Sequence, residues 1–207
     1  MSYLFPTVPT VWAVKLASII FDFLGAFWVY KITKLKYPQG NKPYLAFVML
    51  LFTPTVFINS AYWGQCDMIY TSFLLGCLYF ICLNKQVLGL TFFALAVSFK
   101  LQAVFFAPFL FVLILKKRLQ WQFFLLIPIP YLVTLLPAWF AGRSFRDLLL
   151  IYVNQFGTYH SLTMNMPNLY QFISNDYYNL FSKLGVIFTL VLVCVLAISI
   201  HREKKLS

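Results

Sequence analysis

Two short polar interruptions in an otherwise oily chain hold residue types that could do chemistry. The first, Asn59-Ser-Ala-Tyr-Trp-Gly-Gln-Cys-Asp67, sets a carboxylate two positions after Gln65 and eight after Asn59, beside the aromatic rings of Tyr62 and Trp63. Such a set suits a sugar, with a ring face against C–H groups and carboxylate and amides taking hydroxyls; an Asp there could equally neutralise a cation or hold a metal. The second, Ser98-Phe-Lys-Leu-Gln102, carries the only charge between Lys85 and Lys116. A lysine is a mobile point charge able to clamp a phosphate, and Gln102 adds an amide to it. Ionisable groups near hydrocarbon cost a few kcal/mol, so residues of this kind within a membrane span mark function by default.

Each motif also has a plain structural account. Trp and Tyr favour the headgroup level of a bilayer, Gly64 permits a bend, and Asp67 before an apolar run is a common helix N-cap. Lys100 could simply snorkel, its stem in the apolar zone and its ammonium at the headgroups. Lys15 and Asp22 lie seven apart in the first apolar run, two turns along one helix face. They read most simply as a bundle-internal ion pair or as contacts to neighbouring helices, and Asp22 needs a partner. Arg143 and Arg146, three apart, share a face if their segment is helical and could embrace a phosphate bidentately. His160, in the same polar stretch, reads as solvated.

These groups need elements to position them, and composition says which. The chain of 207 residues is 62% hydrophobic and 10% charged, where soluble domains carry about 25% charge. It reads as a polytopic, all-α integral membrane protein, a single membrane domain over residues 1–207. The net charge of +11 falls in short segments between apolar runs, which points to topology and not to nucleic acid. Cys66, Cys77, Cys82 and Cys194 show no metal-ligand spacing and no disulfide framework; neither a metal nor a cofactor is implied.

About seven apolar segments follow, at roughly 11–30, 44–59, 68–83, 87–98, 102–115, 121–140 and 182–200, with a polar, external stretch at about 142–180. Pro108, Pro128, Pro130 and Pro137 predict kinks. If every segment crosses, Lys31, Lys34, Lys36, Lys42, Lys85, Lys116, Lys117, Arg118, Arg202, Lys204 and Lys205 share one side. The other side or the membrane keeps Lys15, Lys100, Arg143, Arg146 and Lys183, so the ratio is eleven to five. The positive-inside rule then puts the N-terminus outside and the C-terminus in the cytoplasm. Both polar breaks and the 142–180 stretch come to the non-cytoplasmic side, as a shared site requires.

In order and spacing, Asn59 to Asp67, then Ser98-Phe-Lys-Leu-Gln-Ala103 with Pro108 beyond, then Pro167-Asn-Leu-Tyr170, resemble multi-span glycosyltransferases of the GT-C superfamily. The likeness is to bacterial relatives of the enzyme that adds the second mannose of GPI anchors, and runs from about Val14 to Tyr170. It implies an inverting mannosyl- or other hexosyltransferase in a bacterial plasma membrane. Such an enzyme takes a polyprenyl-phosphate-linked sugar donor from the membrane lipid and acts on the non-cytoplasmic face.

The same resemblance carries a departure. Family members are similar in layout but roughly twice as long, with a catalytic carboxylate in the first external loop. This chain matches from the family's third span or later, which implies that the general base is missing from it and that an N-terminal half exists as a separate chain, or that the chain is a truncated remnant. The expected contacts are Lys100, Arg143 and Arg146 to phosphate, with Trp63, Gln65, Asp67 and Gln102 around the sugar and Asn168 in the third motif. From another class, a transporter or channel-like subunit would line a pathway with Lys15, Asp22, Asp67 and Lys100.

Overall fold

In the computed structural model, residues 9–155, 160–163 and 168–202 are described; Pro167 and Asn165 of the third motif region lie outside them. Among the described residues the architecture is helical throughout. The chain runs α1 (Thr10–Lys36), α2 (Lys42–Leu51), α3 (Pro54–Phe57), α4 (Asp67–Cys82), α5 (Gln86–Phe99), α6 (Ala107–Leu115), α7 (Pro128–Phe140), α8 (Phe145–Leu149), α9 (Ile151–Gln155) and α10 (Tyr178–Arg202). A π turn at Ile58–Tyr62 extends α3, and 3-10 stretches at Leu101–Phe106 and Trp121–Leu126 precede α6 and α7.

All seven apolar segments become helical, but they do not all reach crossing length. Val11–Lys36, Trp121–Phe140 and Asn175–Ile200 are long and apolar enough; Lys42–Leu51 with Pro54–Tyr62, bent by 43°, makes a fourth if the pair is one broken span. The count by length is therefore three or four and not seven. Helix α4 has 16 residues, about 24 Å at 1.5 Å per residue, short of a hydrocarbon core of about 30 Å. Helices α5 and Leu101–Leu115 are shorter still.

The prolines fall mostly near the starts of regular helix. Pro43, Pro54 and Pro128 sit in the first turns of α2, α3 and α7, and Pro108 and Pro130 within the first turns of α6 and α7. There the missing N–H has no intrahelical partner to lose. They start helices; only Pro137 lies inside one. The 142–180 stretch holds short helical elements among its described residues. It contains α8, α9 and 3-10 turns at Leu169–Phe172 and Asn175–Tyr177.

The chain divides into two compact units, bounded by Met1–Phe106 with Leu119–Thr134 and by Ala107–Arg118 with Leu135–Ser207. In the first, α1 packs on α2, α4 and the π turn, while α4 and α5 form a tight hairpin. Asn84, with φ of 58°, turns the chain between the hairpin helices. Without a hydrophobic drive between helices in lipid, close packing must do the work, and small residues allow it. At Gly76 a Cβ would stand 2.3 Å from Phe92 Cδ1, so the two helices meet at a distance only glycine permits. Trp28 of α1 seals this contact, its ring centroid 5.4 Å from those of Tyr79 and Phe92 and 5.5 Å from that of Phe80. Aromatic pairs of this kind each add about 0.5–1.5 kcal/mol beyond area. In the second unit α6 packs on α10, with Leu110, Val112 and Ala197 buried.

Candidate functional site

The bent span supplies the site's first wall. Pro54 starts α3, and the chain then loosens into the π turn, a form that often marks functional positions. The freed backbone is satisfied locally: Trp63 N–H donates to Ile58 O (2.8 Å), Gly64 N–H to Ser60 O (3.2 Å) and Gln65 N–H to Asn59 O (2.9 Å). Gly64, at φ of 75°, completes the reversal. Cys66 takes the cap position, and α4 begins at Asp67.

Asp67 is thus the first residue of α4 and not its N-cap, and its carboxylate serves other groups. Oδ2 accepts from Asn59 Nδ2 at 2.9 Å. Oδ1 forms an ion pair with the Lys100 ammonium, which also lies 5.7 Å from the centre of the Tyr70 ring. Lys100 therefore does not snorkel alone: α5 stops at Phe99, Lys100 takes an extended backbone (φ −155°, ψ 126°), and its side chain turns back to α4. A negative charge in the first turn of α4 is further favoured by the helix dipole, by about 0.3–1 kcal/mol.

The pair is neither buried nor free in water, with side-chain exposures of 31% for Lys100 and 34% for Asp67. The adjoining rings are open, Trp63 at 72% and Tyr62 at 82%, and Gln65 and Gln102 are exposed. Chemically this is a half-exposed ammonium held in place by Asp67, with the Tyr70 ring beside it. Of its three hydrogens Lys100 gives one to Asp67, leaving two for an anion. Asp67 is more committed, since both oxygens already accept.

The helix break thus joins Asp67 to Lys100, and Trp63, Gln65 and Gln102 stand in the same two interruptions. Arg143, Arg146 and Asn168 belong to the second unit. Arg143 precedes α8, whose N-cap is Ser144, while Arg146 lies within it; the two do not share a helical face as expected, and both are exposed. Asn168 caps a 3-10 turn, its Oδ1 accepting from Tyr170 N–H at 2.9 Å. His160 is exposed, as expected, its carbonyl accepting from Asn175 Nδ2 at 3.0 Å and its ring 5.7 Å from that of Tyr178.

Three further residues take part, of which the sequence singled out Asn59. Asn59 and Tyr70 complete the Asp67–Lys100 cluster; Tyr70, three after Asp67 on the same helix face, is the one that spacing could have found. Ser60 is the third. Its hydroxyl bonds the carboxylate of Asp22 across to α1, so Asp22 pairs with a serine. Lys15 lies elsewhere on α1, its stem 3.4 Å from where a Gly64 Cβ would be. No family model matches this chain, and neither a curated protein nor a solved structure matches it.

Proposed function

We propose that the chain is the membrane core of a glycosyltransferase that handles a polyprenyl-phosphate-linked hexose on the non-cytoplasmic face, in a seven-segment arrangement of GT-C type. The observation that carries the reading is the Asp67–Lys100–Asn59 cluster at a helix break, in a segment that also exposes the rings of Tyr62 and Trp63. Lys100 contacts the donor phosphate with its two remaining hydrogens. Asp67 then acts as a positioning residue that holds the ammonium, and the sugar contacts fall to Trp63, Gln65 and Gln102. In this reaction the acceptor hydroxyl attacks the anomeric carbon, the C–O bond to phosphate breaks, and a carboxylate base takes the hydroxyl proton. The leaving phosphate needs cations, and Lys100 supplies one.

Binding of a radiolabelled polyprenyl-phosphate hexose to the protein in bilayers tests this directly. Lys100→Ala should weaken binding at least tenfold and Lys100→Arg should preserve most of it. Equal binding by all three proteins would remove the assignment. The second reading, a transporter or channel-like subunit, is favoured by the 43° break between Lys42–Leu51 and Pro54–Tyr62 beside the buried Asp22, since broken helices near ionisable residues are a transporter habit. Solute uptake into proteoliposomes, without donor consumption, would select it.

A further inference from the structure

A second carboxylate, unrelated to donor binding, lies deep in the first unit. Asp22, midway along α1, is 5% exposed. Among the described residues its side chain's only hydrogen-bond contact is the Ser60 hydroxyl at Oδ2, and Oδ1 is buried with no partner. Ser60 is 1% exposed, and its Oγ is also 2.8 Å from Val56 O. The hydroxyl therefore stands between two acceptors with a single hydrogen to give.

No cation repairs this. Among the described residues the one ion pair is Lys100 with Asp67. The elements packed on α1 are α2, α3, the π turn and α4. Helix α3 carries no ionisable side chain. On α2, Lys42 and Tyr44 sit toward the other end, where Tyr44 meets Tyr30 at 5.0 Å between centroids. Tyr62 of the π turn is 82% exposed. On α4, Asp67 is engaged by Lys100 and Asn59, Tyr70 faces Lys100, and Tyr79 packs on Trp28; Cys77 is buried and Cys82 ends the helix. On α1 itself, Lys15 lies two turns away against Gly64. Phe99 of α5, which also reaches α1 at Phe21, belongs to a helix with no ionisable residue. A hard metal ion would want about six to eight oxygens, and Asp22 with Ser60 offers too few.

A proton resolves the arrangement. With Oδ2 protonated, Asp22 donates to Ser60 Oγ, Ser60 donates to Val56 O, and each hydrogen has one acceptor. The lone Oδ1 is then a neutral carbonyl oxygen and not half of an unpaired buried charge, which at such depth would cost several kcal/mol. We infer that Asp22 is a proton-binding site, a neutral carboxylic acid whose hydroxyl donates to Ser60, which in turn donates to the Val56 carbonyl at the helix break. The inference is independent of the sugar-transfer reading.

Infrared spectra of the protein in hydrated bilayers at neutral pH test it. The chain has five acidic residues, and ordinary carboxyls are ionised at that pH, so a protonated C=O band has few sources. The expected result is a band that shifts on deuteration, disappears in Asp22→Asn and persists in Asp67→Asn. In Ser60→Ala the band should move to higher frequency as its hydrogen bond is lost. A wild-type spectrum without the band overturns the inference, as does a band that survives Asp22→Asn. If Asp22→Asn does not fold, Ser60→Ala decides, and an unmoved band there counts against Asp22.

Discussion

Asn59 and Ser60, neighbours in the π turn, hold two different carboxylates: Asn59 donates to Asp67 at the start of α4, and Ser60 donates to, or accepts from, Asp22 within α1. Through Asp67 the same turn reaches Lys100 at the end of α5. One loosened turn therefore ties three helices together by polar contacts. Broken backbone at membrane depth is tolerated only where its polar groups are satisfied within the protein, and here the N–H groups of Trp63, Gly64 and Gln65 find the carbonyls of Ile58, Ser60 and Asn59.

The Asp67–Lys100 pair is open to a direct measurement of its worth. At about one-third exposure it lies between surface pairs, which contribute about 0–1 kcal/mol, and buried ones, whose breaking costs about 3–5 kcal/mol. A double-mutant cycle of Asp67→Asn and Lys100→Met, followed by thermal or denaturant unfolding in detergent, is expected to give a coupling of about 1–2 kcal/mol. Additive single-mutant losses would mean that the two charges do not hold the helices together.

Gly64 should resist substitution for a backbone reason. Its φ of 75° costs an ordinary residue about 1–2 kcal/mol. An added Cβ would also stand 3.4 Å from Lys15 Cγ. Gly64→Ala is expected to lower the unfolding free energy by about that backbone cost, and Gly64→Asn by less, because Asn tolerates the left-handed region. Equal losses for Ala and Asn would point to the Lys15 contact instead.

How much of this was legible beforehand differs by kind of interaction. Each of the seven apolar runs is helical, because continuous hydrophobicity is a local property, while α8 and α9 lie outside them. Lys31, Lys34 and Lys36 were placed outside the first segment, yet α1 continues through them to Lys36, since long basic side chains reach outward from a helix end without breaking it. Crossing length was not legible: Pro54 and Lys100 end helices early, and a mean over a window does not register that. The residue types of the site were legible, but not their use. Asp67 and Lys100 are 33 residues apart, and only the α4–α5 hairpin turns two candidate ligand contacts into partners for each other.

The hairpin itself is expected to fail at Gly76. Phe92 would be 2.3 Å from a new Cβ, and Trp28 Cε2 3.2 Å from it. Phe92 is packed against Phe73 and Phe80 as well, so the ring has little room to yield. Gly76→Ala should destabilise by about 1–3 kcal/mol, the usual range for overpacking. Phe92→Leu in the Gly76→Ala background should recover part of the loss; if it adds to the loss, the clash is not with Phe92.

The last expectation concerns whether the short helix α4 crosses the membrane. Cys66 stands just before it and Cys82 ends it, and both thiols are exposed. The helix is about 24 Å long, so its two ends reach opposite surfaces only if it stands upright in locally thinned or protein-filled surroundings; a re-entrant or tilted helix would keep them on one side. The seven-segment arrangement puts Cys66 outside and Cys82 in the cytoplasm. In a Cys77→Ser, Cys194→Ser background, an impermeant maleimide added to intact cells should label Cys66 and reach Cys82 only after permeabilisation. Labelling of both thiols from outside would reduce the crossings by making α4 and α5 a re-entrant hairpin. Lys85 would then lose its place among the cytoplasmic cations. Because the eleven-to-five charge ratio counts Lys85 on that side, the orientation of the whole chain and the location of the Asp67–Lys100 cluster turn on this one helix.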